Sequence, residues 1–196
     1  MLKSGLKTGL NKMPSANAVG MRAILDRPLN WLWLAVLIYV ADFYTKAWAS
    51  TSLHYGQSIE LLPFLNWTLA HNSGAAFSFL HDAGGWQRWF FVGIAVVVSI
   101  ALIIWMARLP RGSRWLPLSL ALLLGGAIGN LHDRIVQGYV VDFIHFHWAG
   151  MSFPAFNIAD CGITVGAIML IIDSVFLESR RERLAKSEAT SQEPKT

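Results

Sequence analysis

Four long apolar runs decide most of what this chain can fold into. They cover residues 29–49, 89–107, 115–131 and 158–177, and each is close to the roughly 20 residues that a helix needs to cross a hydrocarbon core. The first is interrupted only by Asp42 and Lys46, the second carries no charge, and the fourth holds Asp160 and Asp173. Charged residues make up 14% of the chain and hydrophobic residues 54%, with a mean hydropathy of +0.43. An ordinary soluble domain carries roughly 25% charged residues, so the composition points to a membrane protein. Nine tryptophans suit a chain with many positions at the lipid–water boundary. Cys161 is the single cysteine, which excludes an intramolecular disulfide framework and a cysteine-based zinc site.

Residues 29–49 follow a basic stretch and end in Ala47-Trp48-Ala49, which imitates a signal-peptide cleavage site. A signal peptide has an apolar core of roughly 7 to 15 residues. This run is longer and carries an acid and a base near its end, so it reads as a span.

Basic residues then orient the spans. Thirteen of the 16 lysines and arginines lie ahead of the first span, between the second and third, or after the fourth, from Lys3 through Arg108, Arg111 and Arg114 to Lys195. The connection 47–87 contains none, and the one after the third span contains only Arg134. By the positive-inside rule both termini and the short middle loop are cytoplasmic, and the two longer connections face outward. The expected fold is therefore an all-α membrane protein, a four-transmembrane-helix bundle. Residues 1–28 form a cytoplasmic extension, 29–177 the membrane domain and 178–196 a cytoplasmic tail. Within the first outer connection, residues 59–69 mix apolar runs with a partial period-two pattern before the turn signal Asn72-Ser73-Gly74. A small extracytoplasmic β element is expected there.

An ionisable residue in a span costs about 2.5 to 3.5 kcal/mol at a helix centre on insertion scales, so each is a candidate for function. Asp42 and Lys46 fall in the outer part of the first span, Asn130, Asp133 and Arg134 at the outer end of the third, and Asn157 and Asp160 at the outer start of the fourth. Asp142 belongs to the connection between the last two. All converge on one membrane surface. Plainer roles are also open: Asp42 and Lys46 are spaced as a helical ion pair, Lys46 can snorkel outward, Asp133-Arg134 can end a helix, Asp173 can sit at the cytoplasmic interface, and Cys161 can be a small packed residue. Gly125 and Gly129 form a GxxxG, a signal of close helix packing. His145 and His147 would share one face of a strand. Two ligands do not make a metal site, and no His-Glu-x-x-His occurs. Asn66-Trp67-Thr68 matches a glycosylation sequon too short to carry weight.

Asp142 and Asp160 are the most informative pair. Gly150 and Pro154 between them allow the chain to turn back and bring the two together. Two carboxylates facing each other in a partly dehydrated site cannot both ionise readily, so one holds a proton. The ionised partner can then deprotonate water while the protonated one polarises a carbonyl or protonates a leaving amine. Two unrelated interfacial acids would be the alternative.

Five ordered segments bear on that choice: Asp42-Phe43-Tyr44-Thr45-Lys46; His71-Asn72-Ser73-Gly74-Ala75-Ala76-Phe77-Ser78; Gly125 through Arg134; Val140-Val141-Asp142-Phe143; and Phe153-Pro154-Ala155-Phe156-Asn157-Ile158-Ala159-Asp160. Together they resemble the motifs of bacterial lipoprotein signal peptidase, the signal peptidase II family, over about residues 29–177 and without departure inside the motifs. The resemblance implies an intramembrane aspartyl endopeptidase of the bacterial inner membrane. Such an enzyme cuts prolipoproteins just before a cysteine carrying a diacylglyceryl group. By motif, Asp142 and Asp160 are the implied catalytic dyad, with Asp42, Lys46, Asn72, Gly74, Asn130, Asp133, Arg134 and Asn157 as supporting positions. It implies no metal or organic cofactor. The implied partners are lipidated precursors and membrane lipid, not nucleic acid, and the protein is expected to act as a monomer with its site toward the periplasm. The rival readings are a small proton-coupled transporter, which would place its polar groups near the midplane, and a noncatalytic scaffold for lipidated precursors.

Overall fold

In lipid every backbone polar group must find its partner within the protein, so apolar runs of this length become helices. The structure, a computed structural model, describes residues 26–74 and 85–177. Most of both expected cytoplasmic tails, and residues 75–78 of the second motif, lie outside them.

A 3-10 turn, Pro28–Trp31, leads into α1, Leu32–Ser52. Strands β1, Ser58–Leu62, and β2, Leu65–Asn72, follow. Next come α2, Trp86–Arg108, and α3, Trp115–Val136. Strands β3, Val140–Trp148, and β4, Met151–Ser152, precede α4, Ile158–Ile172, which runs on into a π turn, Asp173–Leu177. All four helical segments are long and apolar enough to cross a membrane.

Helix α3 is the centre of the bundle and packs against α1, α2 and α4. Its Leu120, Ala121 and Leu124 form a core with Ala35 of α1 and Leu102 and Met106 of α2. The other helices present large apolar side chains outward, among them Val97, Ile100, Ile168 and Ile171, as a lipid-facing surface requires. Close approach is set by glycine. A Cβ on Gly125 would lie 2.7 Å from the Ala35 carbonyl oxygen, and one on Gly129 would lie 2.6 Å from Asp42 Oδ2. Gly126 faces the other way, where a Cβ would collide with the Ala159 carbonyl and come within 2.7 Å of Ile163 Cγ1. The GxxxG thus reports helix packing toward α1, with Gly126 in the middle serving α4.

The β element is larger than the first connection alone predicts. Four strands pair in the order β1-β2-β3-β4, all antiparallel, so both long connections contribute to one sheet. Ala70 stands opposite Asp142 and His71 opposite Val141, after an irregularity between Trp67 and Ala70. The sheet sits at the end of the bundle where α1 and α3 finish and α4 begins. There Leu69, Val141 and Phe143 pack on Ala49 and Leu53 of the α1 terminus.

Helix ends differ from the apolar runs in an instructive way. Helix α3 was expected to stop near residue 131 and continues to Val136. Polar residues ended the apolar run without ending the helix, because Asn130 and Asp133 turn inward to buried partners. Lys46 does not snorkel outward: it is 3% exposed, held among carboxylates. Asp173 is buried, at the start of the π turn.

Candidate active site

The α4 N-terminus organises the polar cluster. Asn157 caps the helix, its side chain accepting from the Asp160 N–H at 2.9 Å, while Asp160 Oδ2 accepts from the Asn157 N–H at 3.3 Å. This reciprocal capping box satisfies two donors that a helix start leaves unpaired. It also fixes the rotamer of Asp160. The Asn157 amide is 0% exposed and donates from Nδ2 to Asp142 Oδ1 at 2.7 Å. One asparagine therefore touches both aspartates.

Each aspartate has a further amide donor. Asn72 Nδ2 donates to Asp142 Oδ2 at 3.2 Å, and Asn130 Nδ2 donates to Asp160 Oδ1 at 2.8 Å. Strand β3 delivers Asp142 from the sheet, and the α4 start delivers Asp160 from the bundle. Burial pushes the Asp142 carboxyl up to about 7, and the charge of Asp160 adds to the rise, against the lowering effect of hydrogen bonds from Asn72 and Asn157. Near neutral pH Asp142 therefore carries a proton for much of the time.

Behind the pair lies a buried ion cluster. Lys46 Nζ is 2.6 Å from Asp42 Oδ2 and 2.9 Å from Asp133 Oδ2, and it donates to Asn130 Oδ1 at 3.1 Å. The carboxylates reach further. Asp42 Oδ1 accepts the Ala159 N–H at 2.8 Å, and Asp133 Oδ2 accepts the Val141 N–H at 3.1 Å. These are the amides immediately before Asp160 and Asp142. One ammonium therefore ties down two carboxylates, each holding the backbone next to one aspartate, and also holds the asparagine that contacts Asp160.

Arg134 closes the remaining side. Its Nη2 donates to the Gly74 carbonyl at 3.1 Å, while the Gly74 N–H donates to Asn72 Oδ1 at 3.1 Å. Asn72 is thereby held facing Asp142. Asp42, Lys46, Asn72, Gly74, Asn130, Asp133, Arg134, Asp142, Asn157 and Asp160 come together as one hydrogen-bonded group.

The aspartates open on a groove of about 730 Å³. Asn72, Asn130 and Arg134 line its polar side, and Phe153, Pro154, Phe156, Ile163 and Val165 its apolar side. Cys161, read from sequence as a packed residue, is half-buried and lines the groove. His71 also borders it, stacked on Tyr139 with ring centroids 4.0 Å apart. Burial lowers the pKa of that imidazole, so it is neutral at pH 7. On the sheet His145 and His147 do share a face, where they hydrogen bond to Ser152 and Asn66 rather than to each other. Two contributors escaped sequence reading. Gly126 sits inside the GxxxG but outside its pattern, and the amide of Ala159 has no side-chain signature at all.

The model of the family described as "Signal peptidase (SPase) II" matches residues 34–176. A lipoprotein signal peptidase from Acinetobacter baumannii is 54% identical over 172 residues, covering 87% of this chain and 98% of that protein. One from Pseudomonas aeruginosa is 56% identical over 147 residues, covering 74% of this chain and 87% of that protein. Among solved structures, a bacterial membrane enzyme determined by the in meso method at 2.3 Å resolution has a TM-score of 0.67 and 33% identity, covering 85% of this chain and 94% of that one. A second such structure, at 1.9 Å, has a TM-score of 0.67 and 35% identity.

Proposed function

The chain belongs to the signal peptidase II family, and from that premise we propose that Asp142 and Asp160 are the catalytic dyad of an aspartyl endopeptidase. It is a multi-pass bacterial membrane protein and a protease, with the activity of a lipoprotein signal peptidase acting on prolipoproteins. The observation that carries the dyad is the Asn157 side chain and backbone bonded to both carboxylates at the mouth of an apolar-walled groove.

In the proposed mechanism Asp160 enters as the carboxylate and Asp142 as the acid. Asp160 removes a proton from a water as its oxygen attacks the scissile carbonyl carbon, and Asp142 donates its proton to the carbonyl oxygen. The tetrahedral intermediate collapses when the proton on Asp160 passes to the leaving amine, and Asp142 recovers its own from the hydroxyl. The carbon–nitrogen bond breaks, one water is consumed, and the dyad is restored. Phe153, Phe156, Ile163 and Val165 receive the apolar end of the signal peptide, and the open side of the groove lets the diacylglyceryl chains stay in lipid. A transporter would instead place its ionisable groups near the bilayer midplane, whereas here the cluster lies at the sheet end.

Purified protein should release the signal peptide from a diacylglyceryl-modified precursor, leaving a product whose first residue is the lipidated cysteine by mass spectrometry. Equal cleavage of an unmodified precursor would remove the proposed substrate class. With that substrate the rate should fall above pH about 7, approaching tenfold per unit, as Asp142 loses its proton and two carboxylates face each other. A rate that is flat or rising between about pH 7 and 9 would contradict the assignment of the acid.

We place the site at the periplasmic face of the inner membrane with both termini cytoplasmic. Arg108, Arg111 and Arg114, which join α2 to α3 at the end away from the sheet, support this orientation. In a Cys161→Ser background, a cysteine substituted at exposed Glu60 should react with a membrane-impermeant thiol reagent applied from the periplasmic side. Labelling only from the cytoplasmic side would reverse the orientation.

A further inference from the structure

Thirteen of the 16 basic residues lie in segments read as cytoplasmic, and Lys46 and Arg134 belong to the polar cluster. Arg88 is the one left over, at the first turn of α2 and at the sheet end of the bundle. Its guanidinium reaches across to α3. Nε donates to the Arg134 carbonyl at 2.7 Å and Nη2 donates to the Ile135 carbonyl at 2.6 Å.

A helix leaves its last four carbonyls without intrahelical partners. In α3 the Asp133 carbonyl is taken by the N–H groups of Gln137 at 2.7 Å and Gly138 at 3.2 Å, with Gly138 at φ +88°. The next two carbonyls are those that Arg88 holds. A cation at this position also complements the negative end of the helix dipole. The turn is pressed against the same side chain, since a Cβ on Gly138 would lie 3.3 Å from Arg88 Nη1. That turn feeds directly into β3, which begins at Val140 and carries Asp142.

We propose that Arg88 is a positioning residue for Asp142, a clamp on the α3 terminus that sets where the turn releases β3 into the groove. This rests on the dyad reading. Arg88 acts through backbone: among the described residues its polar contacts are main-chain carbonyls of α3, and its ring contact is Trp89, 5.0 Å from the guanidinium carbon to the ring centroid. It has no part in proton transfer or in holding the peptide. Its loss should therefore misplace Asp142 without changing how substrate binds or which proton is carried.

The test uses the full-length protein in detergent with a diacylglyceryl-modified precursor. Arg88→Gln should lower kcat by about 10- to 100-fold, the scale of an ångström-level misplacement, with KM within about twofold. The pH at which the rate falls should not move. Arg88→Lys keeps the charge but loses the planar fork, so its kcat should fall between the two. In a double-mutant cycle, Arg88→Gln and Gly138→Ala should be non-additive, because both disturb one contact. A wild-type kcat in Arg88→Gln, a loss expressed in KM alone, or full additivity in the cycle would overturn the proposal. Should Arg88→Gln not fold, Arg88→Lys is read in its place, with kcat expected at least about threefold below wild type and a wild-type value counting against the clamp. Wild-type protein that failed to cleave would remove the dyad reading itself. Active wild type with an undiminished Arg88→Gln removes this proposal alone.

Discussion

Asp142→Asn and Asp160→Asn should each reduce cleavage of a lipidated precursor by at least about 10³-fold, because the two carboxyls act as one unit and neither amide can exchange the proton the cycle needs. The fold should survive both changes. Asparagine has nearly the shape of aspartate, and at position 142 it still offers an oxygen to Asn157 Nδ2, now 2.7 Å from Asp142 Oδ1. Its NH2 would then meet the NH2 of Asn72, which is committed through its Oδ1 to the Gly74 N–H. That mismatch costs one hydrogen bond, about 1 kcal/mol. Purified variants should therefore unfold within a few degrees of the wild type. Wild-type cleavage by either would end the dyad assignment.

Lys46→Met should have the largest effect on stability. Asp42 and Asp133 are 1% and 4% exposed, and the substitution would leave them with no cation between them. Removing one partner of a buried ion pair costs about 3–5 kcal/mol, mostly for the charge left unpaired. Denaturant titration in detergent should show a loss of that size, together with a severe loss of cleavage. Pairing Lys46→Met with Asp133→Asn should return part of the stability, since asparagine can still accept the Val141 N–H and Asp42 alone is then left without a cation. Cleavage should stay low in the pair, because Asn130 has lost the ammonium that holds it against Asp160. A Lys46→Met variant as stable as wild type would show that no charge is left stranded. Full activity in the double variant would show that Lys46 serves the fold and not the dyad.

The spans were legible because burying apolar surface in lipid depends on length and composition, which a linear reading captures. Their ends were less so. Asn130, Asp133 and Arg134 break the apolar run, yet α3 continues past them because their partners come from α1, from the turn after β2 and from the start of α4. The sheet was half legible: period-two patterning marked residues 59–69, while the pairing of β2 with β3, which brings Asn72 within a hydrogen bond of Asp142 70 positions further along, depends on contacts no local pattern encodes. Gly126 and Arg88 were missed for the same reason. A glycine's value lies in the neighbour it admits, and an arginine's in the carbonyls it finds.

By itself the sequence determined four membrane spans, the grouping of ionisable residues toward one end, and membership of a family through ordered motifs. All follow from hydrophobicity, charge and residue order. Only the tertiary structure decided that one buried ammonium holds the carboxylates gripping the amides before Asp142 and Asp160, and that Asn157 bridges the pair. Those are relations between helices and strands far apart in the chain, set by close packing at glycines and by the need of every buried polar group for a partner.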